Sequence, residues 1–179
     1  MDESLYIFKI IIAGDSGVGK TSLVRRYVDN QFIPAKKATI GIDYFLKNVK
    51  IKYPGLEATI ALQIWDLAGE EKYRSFLPVY LPGTQGIFLV YSEDIKKSFN
   101  YLSEFLETLN QLLKEKIPII LIKAKKDLER TNIESEEIQN FITKFDIKEL
   151  FDTSAKTGEN VNQAFQKITE LMVKAHNLI

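Results

Sequence analysis

The chain has 179 residues, 45% of them apolar, and its 24 lysines and arginines balance its 24 aspartates and glutamates. This length suits a single domain, residues 1–179, with a sizeable core, and we expect it to be a monomer. The balanced charge gives no reason to expect nucleic acid or an acidic membrane as the main partner. The sequence has no cysteine, which excludes disulfides, thiolate metal sites and thiol nucleophiles.

The apolar runs of the sequence are strand-sized and too short to cross a bilayer. Residues Met1 to Ser4 are acidic and polar and lead directly into a strand pattern, which leaves no room for a secretory signal. We therefore expect a cytoplasmic location. Because no cysteine lies near the C-terminus, the chain as given has no lipid anchor, and a peripheral membrane location would require that a lipid-bearing tail has been removed.

Strand patterns and helical patterns alternate along the chain. Apolar runs predict buried strands at residues 6–13, 60–65, 87–91 and 117–122. Amphipathic patterns predict helices at residues 20–28, 73–80, 98–114, 134–145 and 161–176, with Ser98 as the cap of the third. Residues 44–53, followed by the turn Pro54-Gly55, predict a hairpin into residues 57–65. The expected result is an α/β fold: a parallel sheet with one antiparallel edge strand, helices on both faces, and ligands at the carboxyl ends of the strands.

Directly after the first strand, residues 14–21 read Gly-Asp-Ser-Gly-Val-Gly-Lys-Thr, a complete phosphate-binding loop. Glycines let the chain curl so that backbone N–H groups point at a polyphosphate, and the helix that opens at Lys20 adds its positive dipole end. Lys20 is expected to reach the β- and γ-phosphates, and Thr21 to ligate Mg²⁺. The alternative is a glycine-rich turn before a helix, which would match the four fixed positions in fewer than about one in a hundred such chains. The predicted phosphate contacts are Gly14, Asp15, Ser16, Gly17, Val18, Gly19, Lys20, Thr21 and Ser22.

Three further motifs follow in order: Thr39-Ile40-Gly41, Trp65-Asp66-Leu67-Ala68-Gly69 and Thr153-Ser154-Ala155-Lys156. Together with the phosphate-binding loop they resemble the small GTPases of the Ras superfamily, most closely the Rab branch, over essentially the whole chain. The resemblance implies a small G domain with a six-stranded mixed sheet, five strands parallel and one antiparallel at the edge. It also implies a switch that binds GTP or GDP with Mg²⁺ and hydrolyses GTP to GDP and phosphate.

The resemblance gives roles to particular residues. Mg²⁺ would be held by Thr21, Thr39 and Asp66. The catalytic set would be Lys20, Thr39, Gly69 and Glu70, with the Gly69 N–H on the γ-phosphate. The guanine base would be held by Phe32, Lys125, Asp127, Ser154, Ala155 and Lys156. In this last set the Ala155 N–H would donate to the guanine O6, and Asp127 would accept from two guanine N–H donors, a contact that adenine cannot make.

One departure from the family pattern lies in the base-reading motif Asn-Lys-x-Asp, where this chain has Ala124-Lys125-Lys126-Asp127. We expect guanine selectivity to survive, because Asp127 is retained. The missing amide would bind the base N7 and tie this segment to the phosphate-binding loop, and loss of such a hydrogen bond costs about 0.5 to 1.5 kcal/mol. We expect weaker binding and faster nucleotide loss, offset in part by the stem of Lys125 across the base and by nearby Lys123.

A second departure is Glu70, which stands where the family usually has the glutamine that orients the attacking water. A carboxylate cannot donate to the γ-phosphate. It can accept a proton from water, but it also adds negative charge beside an anionic transition state, so the sequence leaves the sign of its effect open. No internal arginine finger is assigned, because Arg74 lies beyond this motif and Arg25 and Arg26 lie on the first helix. We expect slow turnover without a partner.

Effector and regulatory proteins would bind through Thr39–Tyr44, Trp65 and Tyr73–Tyr80. Tyr44, Trp65 and Tyr80 either form an aromatic effector surface or simply pack together, and the sequence favours neither. Three functions remain: a GDP/GTP switch, a hydrolysis-deficient scaffold that stays bound to nucleotide, and an enzyme acting on a small-molecule acceptor. The short loops supply no second substrate pocket or lid for the third. The single histidine, His176, is expected at the surface without an acid–base role.

Overall fold

The computed structural model describes residues 4–33, 39–54, 56–113, 115–128 and 133–178. The turn residue Gly55 and the predicted helix end Lys114 lie outside these ranges. The strands are β1 Ser4–Ala13, β2 Ile42–Tyr53, β3 Leu56–Leu67, β4 Gly86–Ser92, β5 Ile119–Ala124 and β6 Glu149–Asp152. The α-helices are α1 Lys20–Asp29, α2 Leu77–Tyr80, α3 Lys97–Leu112, α4 Ser135–Lys144 and α5 Val161–Ala175. Two 3₁₀ segments, Glu71–Phe76 and Lys126–Leu128, precede α2 and follow β5.

The six strands form one sheet in the order β2-β3-β1-β4-β5-β6. β2 is antiparallel to β3 over its full length, from Ile42 opposite Leu67 to Tyr53 opposite Leu56, and every other neighbouring pair is parallel. The predicted fold, five parallel strands with one antiparallel edge strand, is confirmed. Parallel strands end at the same edge of a sheet, so the segments that follow β1, β3, β4, β5 and β6 meet there.

The core lies on both faces of this sheet. In β1, Ile10 and Ile12 pack on the face covered by α1 and α5, where they share a cluster with Phe165. Ile11 points to the opposite face and packs in a cluster with Phe105 of α3. These residues are buried, as the alternation of side chains along a strand requires when both faces are covered. Within the described ranges, none of the helices is long and apolar enough to cross a membrane.

Several predicted element bounds are wrong. The sixth strand implied by the resemblance was not located in the sequence, because the four residues of β6, Glu149–Asp152, are too few to give a pattern and half of them are acidic. β5 begins at Ile119 rather than Ile117, since Pro118 has no N–H to donate to the ladder. The segment predicted as a helix from Tyr73 to Tyr80 is α-helical only from Leu77, with Pro78 in the first turn where proline is tolerated.

Ser98 does not cap α3, contrary to the prediction. The helix begins one residue earlier, at Lys97, with Lys96 in the cap position. The Ser98 hydroxyl instead donates to the Ser92 carbonyl and accepts from the Ser92 N–H, both at 3.1 Å. Ser98 therefore ties the first turn of α3 to the carboxyl end of β4, and it is fully buried there.

The aromatic contact between α1, β4 and α5 generates a stability prediction. Phe165 is fully buried, stacks on Tyr27 with ring centroids 3.8 Å apart, and meets Phe88 edge-on at 4.9 Å. We expect Phe165→Ala to lower the free energy of unfolding by about 3–5 kcal/mol, because the cavity cannot collapse between packed elements. Urea denaturation measures the change. The control Phe76→Ala, at an exposed ring, should cost less than about 1 kcal/mol, and equal losses in both variants would contradict the prediction.

Candidate functional site

The phosphate-binding loop joins β1 to α1 and is organised around Lys20. Gly19 occupies the cap position of α1 with φ of 108°, a conformation that L side chains rarely adopt. The Lys20 ammonium donates to the carbonyls of Gly14 and Asp15, both at 2.8 Å. Burial lowers the pKa of Lys20 to about 8, although the charges of Asp66 and Asp15 act in the other direction. A buried cation held by carbonyls inside a loop that opens a helix is suited to bind an anion.

Thr21, Thr39 and Asp66 come together beside this loop, as predicted for a metal site. The Thr21 and Thr39 hydroxyl oxygens are 2.8 Å apart, and the Thr21 hydroxyl also donates to Asp66 Oδ2. Asp66 is fully buried, and within the described part of the chain its Oδ1 has no hydrogen-bond partner. An orphaned carboxylate oxygen next to two hydroxyls fits Mg²⁺, which takes oxygen ligands and is often held by one carboxylate plus phosphates.

The charge of Asp66 is costly in the absence of a cation. Burial raises the pKa of Asp66 from 3.8 to about 6, and the nearby Asp43 charge acts in the same direction. The Thr21 hydrogen bond and the Lys20 and Arg25 charges lower it by less. The described residues include no cluster of three or more acidic or histidine side chains that could hold a metal alone. A cation here would take its remaining ligands from water or from a bound phosphate.

Gly69 lies directly against the phosphate-binding loop. A Cβ at this position would be 2.3 Å from the Ser16 amide nitrogen and 2.4 Å from the Asp15 carbonyl carbon, so only glycine fits. The next residue, Glu70, points elsewhere. Its carboxylate pairs with the Lys72 ammonium at 2.7 Å, with both side chains more than one third exposed. Glu70 does not line the cavity described next.

A cavity of about 490 Å³ runs from the phosphate-binding loop to the segments after β5 and β6. It brings together most of the predicted ligand residues: Ser16, Gly17, Gly19, Lys20, Thr21, Ser22, Phe32, Thr39, Gly69, Lys125, Asp127, Ala155 and Lys156. The lining does not include Gly14, Asp15, Val18, Asp66 and Ser154, which were also predicted to bind the ligand or its metal. Leu23, Leu128 and Thr153 line it without having been predicted. The position of Leu128 directly after Asp127 was the available sequence signal.

The far end of the cavity is organised around Asp127. The Ser154 hydroxyl donates to Asp127 Oδ1 at 2.7 Å, and the Lys156 ammonium lies 3.9 Å from Oδ2. A backbone hydrogen bond joins the segment after β5 to the segment after β6: the Lys126 N–H donates to the Thr153 carbonyl at 3.0 Å. The carboxylate thus faces the cavity between two segments whose spacing is fixed by the backbone.

Ala124 is buried at this end, and a separate network positions the residue after it. The Lys125 ammonium pairs with Asp94 Oδ2 at 2.8 Å, and the Ser92 hydroxyl donates to Asp94 Oδ1. Ser92 is also 3.3 Å from the Ala124 carbonyl oxygen. Burial opposes ionisation of Asp94, but the Lys125 and Ser92 hydrogen bonds outweigh it and lower the pKa of Asp94. Lys125 has φ of 61°, an uncommon conformation for a residue other than glycine.

Lys123, expected to help hold a base, does not line the cavity. Its ammonium lies in a neighbouring groove, 3.1 Å from Glu93 and 3.8 Å from Asp152. Successive residues of β5 point to opposite faces, which places Lys123 away from its neighbour Ala124.

The match to known proteins is extensive. A model of the Ras family matches residues 9–174. The chain belongs to the Ras family. It is 36% identical to Ras-related protein Rab-1 of Theileria parva over 173 residues, which are 96% of this chain and 77% of that protein. It is 37% identical to Ras-related protein Rab-11C of Dictyostelium discoideum over 168 residues, 93% of this chain and 73% of the relative. The GTP-binding protein ypt4 of Schizosaccharomyces pombe is 34% identical over 169 residues, 94% and 72% of the two chains.

These relatives identify the chain as a divergent, Rab-like small GTPase, and the predicted resemblance is confirmed. Guanine-nucleotide binding accompanies membership of this family. In this Rab-like chain the described cavity has no arginine in its lining. Arg74 pairs with Glu104 at 2.9 Å and lies over the Tyr101 ring, so its guanidinium is engaged with α3.

The aromatic trio of this Rab-like chain packs together and is also exposed at one end. The Tyr44 and Trp65 rings meet edge-on with centroids 6.1 Å apart, and Trp65 lies 6.3 Å from Tyr80. The Lys9 ammonium lies 3.8 Å from the Trp65 ring centroid. Tyr44 is 54% exposed. His176 is at the surface, as predicted, where its ring contacts Gln85 and Phe8.

The raised pKa of Asp66 predicts an unusual pH dependence of stability once nucleotide and Mg²⁺ are removed with EDTA. The folded protein holds this proton up to about pH 6, while the unfolded chain releases it near 3.8. Asp66 therefore adds stability below pH 4, and that stability is lost as the pH rises through 6. The free energy of unfolding of Asp66→Asn relative to the natural chain should rise by up to about 3 kcal/mol between pH 4 and 7.

Urea denaturation at several pH values measures this difference. Asp29→Asn, an exposed aspartate at the end of α1, is the matched control and should show no such trend. A flat difference for Asp66→Asn would mean that its carboxylate is not penalised by burial.

Proposed function

We propose that this Rab-like chain is a GDP/GTP switch, formed as one domain by residues 1–179, with slow Mg²⁺-dependent hydrolysis and a role in trafficking or signalling. The observation that carries the proposal is the continuous cavity with a buried cation at one end and Asp127 at the other. A nucleoside di- or triphosphate fits this arrangement, because it has anionic phosphates at one end and a base with hydrogen-bond donors at the other. The fold supports it, because ligands bind at the carboxyl ends of such strands.

At the phosphate end, Lys20 and the amides of residues 14–21 bind the β- and γ-phosphates. Thr21, Thr39 and Asp66 hold Mg²⁺, which neutralises charge on the same phosphates when it is bound. Thr39 lies in the segment before β2, and Gly69 follows β3. A bound γ-phosphate gives each segment an additional contact, so its loss weakens the hold on both segments and changes which partners bind.

At the base end, Asp127 accepts from the guanine N1–H and 2-amino group, and the Ala155 N–H donates to O6. The support is positional: both residues line the cavity, and Ser154 holds the Asp127 carboxylate at 2.7 Å. Phe32 and Lys125 cover the base, with Lys125 held by Asp94. This ion pair offsets part of the binding free energy that is lost because Ala124 has no side-chain amide. We therefore expect weakened but guanine-selective binding.

Turnover should be slow without a partner. The Glu70 carboxylate pairs with Lys72 at the surface, and no arginine lines the described cavity. A glutamate that swings inward would add negative charge beside an anionic transition state and could not donate a hydrogen bond to it. The second candidate, a hydrolysis-deficient scaffold that stays bound to nucleotide, is favoured by this same observation.

Effector and regulatory proteins bind, in this proposal, through residues Thr39–Tyr44, Trp65 and Tyr73–Tyr80. Large apolar side chains are unusually exposed there: Ile40 is 81% and Val79 is 71% exposed. Exposed apolar and aromatic groups rimmed by polar residues favour protein partners. We place the protein in the cytoplasm as a monomer that does not bind nucleic acid, and a peripheral membrane location would need a lipid-bearing tail.

Nucleotide specificity tests the switch assignment directly. Chromatography of the denatured, purified protein should release GDP or GTP rather than adenine nucleotides. In Asp127→Asn, the side-chain oxygen still accepts from N1–H, but its NH₂ group can only donate, which suits the 2-oxo group of xanthine and repels the 2-amino group of guanine. We expect that variant to prefer xanthosine diphosphate over GDP, measured by competition with a fluorescent nucleotide. Absence of Mg²⁺-dependent binding of any guanine nucleotide to the natural chain would refute the proposal.

Single-turnover hydrolysis of preloaded GTP tests the role of Glu70. Glu70→Gln removes the negative charge and restores a donor, so the rate should rise by roughly tenfold or more. Glu71→Gln is the matched control, because it removes the same charge from the neighbouring exposed residue, and its rate should not change. If Glu70→Gln is no faster than the natural chain, the glutamate is not what slows hydrolysis. If the natural chain does not hydrolyse its bound GTP, the hydrolysis-deficient scaffold replaces the switch with slow hydrolysis as the proposed function.

A further inference from the structure

Arg26, in the last turn of α1, binds the segment that would recognise the base. Its Nε donates to the Ala155 carbonyl at 2.6 Å, and one terminal nitrogen donates to the Lys156 carbonyl at 2.9 Å. The other terminal nitrogen donates to the Asn30 carbonyl at the end of α1, at 3.0 Å. All three guanidinium nitrogens are thus engaged, two of them with consecutive carbonyls 129 and 130 residues away in the sequence.

This arrangement depends on the planar fork of arginine. A guanidinium can donate to two adjacent carbonyls in one plane, whereas the ammonium of a lysine is a single point with no fixed direction. The Arg26 stem also lies close to the same loop, since a Cβ on Gly158 would be 3.8 Å from its Cδ. The contact joins the helix that begins at Lys20 to the loop that carries Ala155.

We propose that Arg26 is a positioning residue for recognition of the guanine 6-oxo group, an inference that rests on the proposed function. In a trans peptide the C=O and N–H groups point in opposite directions. A donor that fixes the Ala155 carbonyl therefore fixes the Lys156 N–H on the other side of the same plane, and it restrains the Ala155 N–H one residue earlier. Ala155 and Lys156 both line the cavity. Arg26 itself does not line the cavity.

The test compares three nucleotides on Arg26→Ala, Arg26→Lys and the natural chain, by competition with a fluorescent guanine nucleotide. GDP has the 6-oxo group and both donors for Asp127. Inosine diphosphate keeps the 6-oxo group but lacks the 2-amino group. 6-Thioguanosine diphosphate keeps both donors but has sulfur, a weaker acceptor, at position 6.

Arg26→Ala should lower the affinity for GDP and for inosine diphosphate by the same factor, roughly tenfold. The affinity for 6-thioguanosine diphosphate should fall by much less. Arg26→Lys keeps the charge but not the fork and should follow Arg26→Ala. Asp29→Ala, in the same turn of α1, should match the natural chain. An equal loss of affinity for all three nucleotides would mean that Arg26 only supports the loop in general, and it would overturn the inference. Natural-like GDP affinity in either Arg26 variant would also overturn it.

Failure of the proposed function can be distinguished from failure of the Arg26 inference by the binding behaviour of the natural chain. If the natural chain binds none of the three nucleotides, the guanine assignment itself is wrong. If the natural chain binds GDP and thermal unfolding shows that the variants are folded, a negative result counts against Arg26 alone.

Discussion

Burial of two opposite charges at one edge of the sheet is the constraint on which the site depends. Lys20 and Asp66 are both almost fully buried, and burial moves the pKa of each toward its neutral form. They do not form a direct ion pair: Lys20 donates to the carbonyls of the loop, and Asp66 accepts from Thr21. A phosphate beside Lys20 and a divalent cation beside Asp66 would each supply the missing opposite charge. The unliganded fold is therefore electrostatically incomplete, and ligand binding and stability are linked.

The base end differs from the phosphate end, because three of its polar groups have partners within the protein. Asp127 accepts from Ser154, Lys125 pairs with Asp94, and the Ala155 carbonyl accepts from Arg26. The segments that follow β5 and β6 are each held by a side chain from another part of the chain, Asp94 and Arg26. Such contacts keep the cavity open and ordered before a ligand arrives, which lowers the cost of ordering on binding. They also explain how a chain with Ala124 can keep the geometry of the segment that follows it.

The sequence predicted those parts of the molecule that local pattern determines. Alternating strands and helices, the hairpin of β2 with β3 and the loop at residues 14–21 follow from apolar periodicity and glycine spacing. The approach of Thr39 to Thr21 was expected only through the family resemblance. The Arg26, Asp94 and Glu70 contacts were not foreseen, because each joins residues whose proximity depends on the completed fold or on side-chain rotamers. β6 and the start of α3 were missed for a simpler reason: four residues give no pattern, and a serine near a helix start can bond to another element instead of capping.

The helix α1 connects the two ends of the cavity. Lys20 and Arg26 are six residues apart on it, a rise of about 9 Å, so the phosphate contact and the base-loop contact belong to one rigid body. Tyr27 stacks on Phe165, and the Lys47 ammonium reaches the last carbonyls of the helix, which fixes α1 against α5 and β2. Thr39 and Gly69, by contrast, lie on segments outside α1 and contact this body from the side. In the proposed switch, loss of the γ-phosphate would free these two segments while the diphosphate and the base stay bound to α1 and its neighbours. A nucleotide can then remain in place while the partner surface changes, which is what separates a switch from a simple binding protein.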